Sequence, residues 1–332
     1  MTNVLKTLEY IQDNHLHGLG LSPPPGFSRG YDFYGKNLPR LFEFSANAYQ
    51  HSHRRLPNLI NPTTFTEKQV LFKFFGLVPI TVSPPDKLRS AGYLPKEIRH
   101  LAKVPKRIWI SDTAMLPDSE AVPNGTYYLK SNHGWGRQMP ITLPVDESEK
   151  LAINAKLVKW LKKPHGQRLG LWWYETVKRN VFLEEDLRLD DGDAPDWKFF
   201  VCNGKVILLQ LDTGRQTNHH QNLYERDGTP IDGEMYFKKG QARVMPDFLP
   251  QMIEIAEGIG SNFDFIRVDL FTKGDTIYLG EITLVPNGAT LPIKSPELDK
   301  RLGDEWHAPW LGAVGEDWGG HYQHVRYDPW VE

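Results

Sequence analysis

A single cysteine, Cys202, stands among 332 residues, which excludes a disulfide framework and any cysteine zinc cluster. Its apolar, strand-like surroundings suit a reducing cytoplasm. Excess charge of either sign is also lacking: 39 Lys and Arg against 41 Asp and Glu leave a net charge of −2 and a pI near 6.6. No global basic field is available to recruit nucleic acid or an anionic membrane, so an anionic substrate has to be met by local cations. Long apolar runs are missing. The opening MTNVLKTLEYIQDNHLHG has no signal-like segment, and no stretch approaches a membrane span; a soluble cytoplasmic protein without stable membrane insertion is the expectation. Nor is there a P-loop, because neither Gly-Lys-Ser nor Gly-Lys-Thr occurs. What the chain holds in quantity is ring and turn. Ten tryptophans and 25 prolines favour an irregular, aromatic-rich surface over a helical bundle, and 38.2 kDa is enough for a large core in two or three lobes.

The chemistry concentrates in Asn262 to Gly288, NFDFIRVDLFTKGDTIYLGEITLVPNG. Two apolar, β-branched runs joined at Lys273-Gly274-Asp275 read as a hairpin. Alternation puts Arg267 and Asp269 on one side of the first strand, and Glu281 and Thr283 share a side of the second. With an odd-numbered loop, Asp269 lies opposite Glu281 and Arg267 opposite Thr283, all on one face. Opposed carboxylates require a cation. Oxygen ligands favour Mg²⁺ or Mn²⁺, and the alternative is that Arg267 neutralises both acids in a solvated face.

Elsewhere the chain reads in short modules. Residues 2 to 14 form an amphipathic helix; Ser22-Pro-Pro-Pro-Gly26 is a stiff break; and the region through Arg55 has no clean period and is treated as accessory. Thr66 is the expected N-cap of a helix running to Gly76, and Asp86 the cap of one carrying Leu88, Arg89 and Tyr93. A strand from Thr126 to Lys130 leads into Ser131-Asn132-His133-Gly134-Trp135-Gly136-Arg137, a phosphate-cradle pattern in which amides approach an anion and Lys130 neutralises it. Pro140 to Pro144 returns as a partner strand, and Glu147 to Leu161 is a helix. Trp172-Trp173-Tyr174 reads as core packing. Asn180 to Leu187 is a strand turning acidic at its end. Trp197 to Cys202 and Lys205 to Leu211 form a hairpin closed at Asn203-Gly204. Lys198, among bulky apolar residues, needs an anionic partner such as Asp196. Arg215 is a candidate for bidentate fixation of a substrate carboxylate, or for an ion pair with Asp212. His219-His220 reads as a solvated loop, and Asp247 to Gly260 as an Asp-capped helix with Met252, Ile255, Ala256 and Ile259 inward.

Together PTTFTEKQ (62–69), DK (86–87), YLKSNHGWG (128–136), FLEEDL (182–187), DWKFFVCNGKV (196–206), LDTGRQTNHHQNLYERDG (211–228) and FDFIRVDLF with IYLGEITLVPNG (263–288) resemble, in order and spacing, the ATP-grasp superfamily, in particular its TupA-like branch of carboxylate–amine ligases. The resemblance runs from about residue 60 to about 303. It implies an α+β fold in which two subdomains with antiparallel sheets grip ATP. It divides the chain into an accessory segment (1–60), an N-terminal lobe (61–120), a subdomain with the glycine loop (121–187), a subdomain with the metal site (188–303) and an aromatic tail (304–332). It implies Lys87 and Lys130 as phosphate-binding lysines and His133, Gly134 and Gly136 as part of a lid. Glu184, Glu185, Asp186 and Leu187 would form the adenine-reading hinge, with Asp196 near the ribose and Lys198 a further phosphate or substrate cation. Asp269 and Glu281 would be Mg²⁺ ligands and Arg267 the stabiliser of the tetrahedral adduct. Where many of these sites read Glu-x-Asn, this chain reads Glu281-Ile282-Thr283, so the third ligand falls to Thr283 or, second, Asn287.

The implied partners are ATP, Mg²⁺ (or Mn²⁺), a small-molecule or glycan carboxylate such as a uronic acid, and an amine or amino acid, in bacterial surface-polysaccharide synthesis. Two other readings compete. Asp191-Gly192-Asp193 is a D-x-D, as in metal-dependent glycosyltransferases, and the aromatics Trp306, Trp310, Trp318, Tyr322 and Trp330 suit a non-catalytic glycan-binding module, although they equally suit a packed cover.

Overall fold

The computed structural model describes residues 3–15, 28–76, 82–118, 120–189, 195–215, 218–308 and 326–329. The Asp191–Asp193 motif and Trp310, Trp318, Tyr322 and Trp330 lie outside them. The α+β expectation holds: helices accompany two sheets in which every strand pairing is antiparallel.

Helix α1 spans Asn3–His15, and α2, Ser28–His53, fills much of the region read as aperiodic. Pro39 lies inside α2 and obscures the pattern, yet Leu38, Leu41, Phe42 and Tyr49 are buried in the main core. The short helix α3, Phe65–Leu71, begins two residues earlier than expected. Its cap is Thr64, whose hydroxyl accepts from Glu67 N while the Glu67 carboxylate turns back to Thr64 N, a reciprocal capping box. Thr66 instead gives its amide and hydroxyl to Asp299 at 2.9 and 2.7 Å.

Strands β1 (Arg107–Ser111), β2 (Gly125–Ser131), β3 (Gln138–Leu143) and β4 (Val181–Glu185) form a four-stranded sheet in the order β1-β4-β2-β3. Helix α4, Glu147–Lys162, lies between β3 and β4 in the chain. It buries Ile153 and Leu157 with Leu129, Ile141, Val181 and Leu183 in a satellite core. Truncating Leu157 there would cost about 2–5 kcal/mol.

Strands β5 (Asp196–Cys202), β6 (Lys205–Thr213), β7 (His220–Tyr224), β8 (Phe265–Lys273) and β9 (Thr276–Thr283) form the second sheet, ordered β7-β6-β5-β8-β9. Asn203 and Gly204, at φ 49° and 75°, close the β5–β6 hairpin in the left-handed conformation that Asn-Gly tolerates best. Helix α5, Leu249–Gly260, packs Met252, Ile255, Ala256 and Ile259 into the main core. Its N-cap is Phe248, without a side-chain cap bond, so Asp247 does not cap it. Helix α6, Pro296–Glu305, follows β9 and supplies the Asp299 that clamps α3.

Candidate active site

The expected pairing of Asp269 with Glu281 and Arg267 with Thr283 is present, but it arises differently. The β8–β9 loop has two residues, since Lys273 pairs with Thr276, and an even loop would offset the strands by one. A bulge between Asp269 and Leu270 takes up Gly280 and restores the register. Only glycine fits there, because a Cβ on residue 280 would lie 2.3 Å from the Phe271 ring. Phe271 and Gly280 thereby line a cleft of about 370 Å³ together with Lys87, Lys130 and Gly134.

Every acid on this face has a cationic partner. Arg267 donates to both Asp269 oxygens at 2.6 Å and to Thr283 Oγ1 at 3.0 Å. Glu281 Oε1 receives Lys87 Nζ at 3.0 Å, and that ammonium also reaches Gly134 O at 2.7 Å, tying the glycine loop to β9. Lys198 pairs with Asp196 and, at 3.1 Å, with Asp212, while Arg215 donates to Asp196 at 2.6 Å. The ion pair that was the alternative reading of Arg215 is therefore present, but with Asp196 in place of Asp212. Burial pushes the Asp269 carboxyl up to about 6 against the pull of Arg267 and Lys198. Burial acts upward on Glu281 as well, but Lys87 and Arg267 outweigh it and hold that carboxyl below its ordinary range.

Lys87 is placed by a tight turn rather than a helix. Asp86 Oδ1 accepts from Leu88 N at 3.1 Å and from Asn132 Nδ2 at 2.9 Å, and Lys87 N donates to Asn132 O at 3.0 Å. On the opposing sheet Lys130 pairs with Glu184. Gly134 and Gly136 adopt φ 81° and 70° and line the cleft with the exposed Trp135 between them. His133 is buried beneath the loop against Arg137, and burial with that neighbouring cation lowers it to about 3. Its imidazole is a neutral post for the loop. Residues 184–187 do not line this cleft: Glu184 meets Lys130, Glu185 accepts from Lys106 N at 2.8 Å, Asp186 O accepts from Lys273, and the Asp186 carboxylate holds Arg188. Asn287 lines the cleft at φ 51° and is hydrogen-bonded to the Tyr236 side chain.

Residues 98–307, which contain both sheets, the glycine loop and the Arg-x-Asp/Glu-x-Thr hairpin, match in sequence the family described as TupA-like ATPgrasp. The chain belongs to the TupA-like ATP-grasp family. It thus has the ATP-grasp fold. No curated protein matches the sequence. Solved structures similar to this ATP-grasp chain include D-alanine–D-alanine ligase from Helicobacter pylori, 13% identical over 76% of this chain and 68% of that one, TM-score 0.41. The same enzyme from Bacillus anthracis is 13% identical over 70% and 66%, TM-score 0.37. The ATP-grasp ligase PsnB with its minimal precursor is 15% identical over 68% and 59%, TM-score 0.35. The chain therefore spans about three fifths to two thirds of the length of most of these relatives.

Two facing carboxylates, a hydroxyl and an amide are hard oxygen donors that fit Mg²⁺. Among the described residues no group of three or more His, Cys, Asp or Glu could hold a metal, so an ion here has to complete its shell with phosphate or water, as Mg²⁺ commonly does. Several cleft residues escaped sequence reasoning. Gln210 and Asp212 alternate in the apolar run of β6, and that period was a usable signal. His219, whose polar run predicts a solvated loop, packs its ring tilted against Phe237, with centroids 3.7 Å apart, and lies 3.5 Å from Asp212. Trp173 and Tyr174 are core, as read, and also line the cleft.

Proposed function

We propose that the protein is an ATP-dependent carboxylate–amine ligase that forms an amide through an acylphosphate. Its acceptor in this reading is a uronic acid or another glycan-linked carboxylate of bacterial surface-polysaccharide (capsule) synthesis in the cytoplasm. The observation that carries the reading is the Asp269–Glu281 pair facing Lys87 and the glycine loop across one cleft. Bound Mg²⁺ would neutralise the phosphates and align in-line transfer, with Asp269 and Glu281 as its protein ligands and Thr283 or Asn287 within the same set. Lys87 and Lys130 would exchange their carboxylates for phosphate oxygens. Phe271 and Gly280 would offer an apolar floor for the base. Arg267, anchored by Asp269 and Thr283, would meet the oxyanion when the amine nitrogen attacks the acyl carbon. The carbon–nitrogen bond forms, the bond to phosphate breaks, phosphate leaves, and the proton of the amine passes to solvent. Lys198 and Arg215 would position the reacting groups. Electrostatic positioning of this kind supplies most of the rate.

No helix among the described residues is long and apolar enough to cross a membrane. The test is ADP release from a panel of uronic acids and amines: release that needs both partners supports the ligase. Release of a nucleoside diphosphate from a sugar nucleotide, without ATP, would replace it with a glycosyltransferase.

A further inference from the structure

On β6, Gln210 and Asp212 face Lys198 and Asp196 of β5 and turn to the cleft. Burial acts upward on the Asp212 carboxyl, but Lys198 and the Gln221 hydrogen bond outweigh it and keep it below its ordinary range. An ionised carboxylate only accepts. It takes Gln210 Nε2 at 3.1 Å and Gln221 Nε2 at 3.0 Å on Oδ1. This commits the NH₂ end of Gln210 and leaves Oε1 as an acceptor that is buried and has no donor. Asp196 repeats the pattern: Oδ2 holds Lys198 and Arg215, while Oδ1 is buried without a donor. Gln210 and Asp196 are 3% and 1% exposed.

An unmet buried acceptor is destabilising, and two on neighbouring strands of one cleft invite a ligand rich in N–H or O–H donors. Beside them Arg215 gives one terminal nitrogen to Asp196 and keeps 44% of its side chain exposed. A guanidinium has five donors, so it can hold a second anion. Acceptors in the depth and a half-exposed guanidinium at the rim are complementary to a zwitterion. Ribose hydroxyls could satisfy the acceptors too, but a nucleoside brings no carboxylate for Arg215. The lysines suited to phosphate, Lys87 and Lys130, stand on the opposite flank, by β9 and the facing sheet.

We propose that the β5–β6 face is the subsite of the amine substrate, and that this substrate is an α-amino acid. Its ammonium meets Asp196 Oδ1 and Gln210 Oε1, and its carboxylate meets Arg215. The proposal rests on the ligase reading and specifies its second substrate.

The full-length protein is assayed for ADP release with glucuronic acid and each proteinogenic amino acid, against ethanolamine and glucosamine as amines without a carboxylate. The expected result is turnover with an amino acid and little with either bare amine. Gln210→Leu raises the KM for that amino acid roughly tenfold or more while the Kd of Mg·ADP from calorimetry stays the same. Arg215→Gln, which leaves Lys198 on Asp196, lowers the preference for the amino acid over its methyl ester by about tenfold. Turnover of ethanolamine or glucosamine as good as that of any amino acid, with Arg215→Gln indifferent to the ester, overturns the subsite while leaving the ligase intact. Weaker Mg·ADP binding in Gln210→Leu gives the acceptors to the ribose and overturns it as well. Absence of ADP release with every carboxylate and amine overturns the ligase reading itself.

Discussion

The two sheets are built alike and turn different faces to the cleft. The four-stranded sheet contributes Lys130, held by Glu184, and Gln138, above an apolar satellite core. The five-stranded sheet presents Asp196, Lys198, Gln210, Asp212, Arg267, Asp269, Glu281 and Thr283 across four adjacent strands. Charge buried at that density is tolerated because each acid has a cation within reach, and removing one partner of such a pair is costly where replacing both is not. Elsewhere two buried groups have no ionic partner. Asp264, at the entry to β8, is pushed up to about 7 by burial, and its Oδ2 has no partner. Lys73, fully buried, is lowered to about 7 by burial and donates to Gly288 O at 2.9 Å. The contrast separates charge arranged for exchange with a ligand from charge that the fold merely tolerates.

The largest expected effect lies in the paired region. Asp269→Asn and Glu281→Gln should each lower Mg·ATP turnover on the order of 10³-fold, with circular dichroism unchanged; near-normal turnover in either variant would dissolve the distinction between the sheets. Next is the bulge that sets the register. Gly280→Ala drives a methyl into the Phe271 ring, so the melting curve should show a loss of about 1–3 kcal/mol, accompanied by weaker ADP binding. A variant as stable as the parent would mean that Phe271 moves freely and does not shape the floor.

The smallest effect concerns the solitary acid. Its folded pKa, about 7, exceeds the unfolded value near 4. Between those limits the unfolded chain has already released a proton that the native chain retains, so stability falls as pH rises from about 4 to 7 and then levels. Asp264→Asn should remove that slope and gain on the order of 1–3 kcal/mol at pH 8, as read from denaturant melts across pH. An unchanged slope would show that Asp264 is solvated.

Much of this site was legible because strand alternation is exact. Arg267, Asp269, Glu281 and Thr283 share a face in any register that buries Val268, Leu270 and Ile282, and Asn203-Gly204 admits few turns other than the one seen. The parts that escaped depend on tertiary partners. Strand β1 is five residues long and is recruited by β4; β7 starts inside a polar run and is held by β6. Helix α2 hides its period behind Pro39. The compensating bulge at Gly280 could not be read from loop parity, since a two-residue loop and a bulge imitate an odd loop in the final pairing.

The central claim is that the acid–cation pairs of the five-stranded sheet are placeholders, with Lys87 held by Glu281 until phosphate and metal take the two apart. Calorimetric titration of ADP, with and without Mg²⁺, into the parent and Glu281→Gln tests it most directly. The parent should bind ADP weakly without metal and more tightly with it, whereas Glu281→Gln should bind metal-free ADP more tightly than the parent and gain little from Mg²⁺. Identical metal-free affinity and an identical response to Mg²⁺ in both proteins would contradict it.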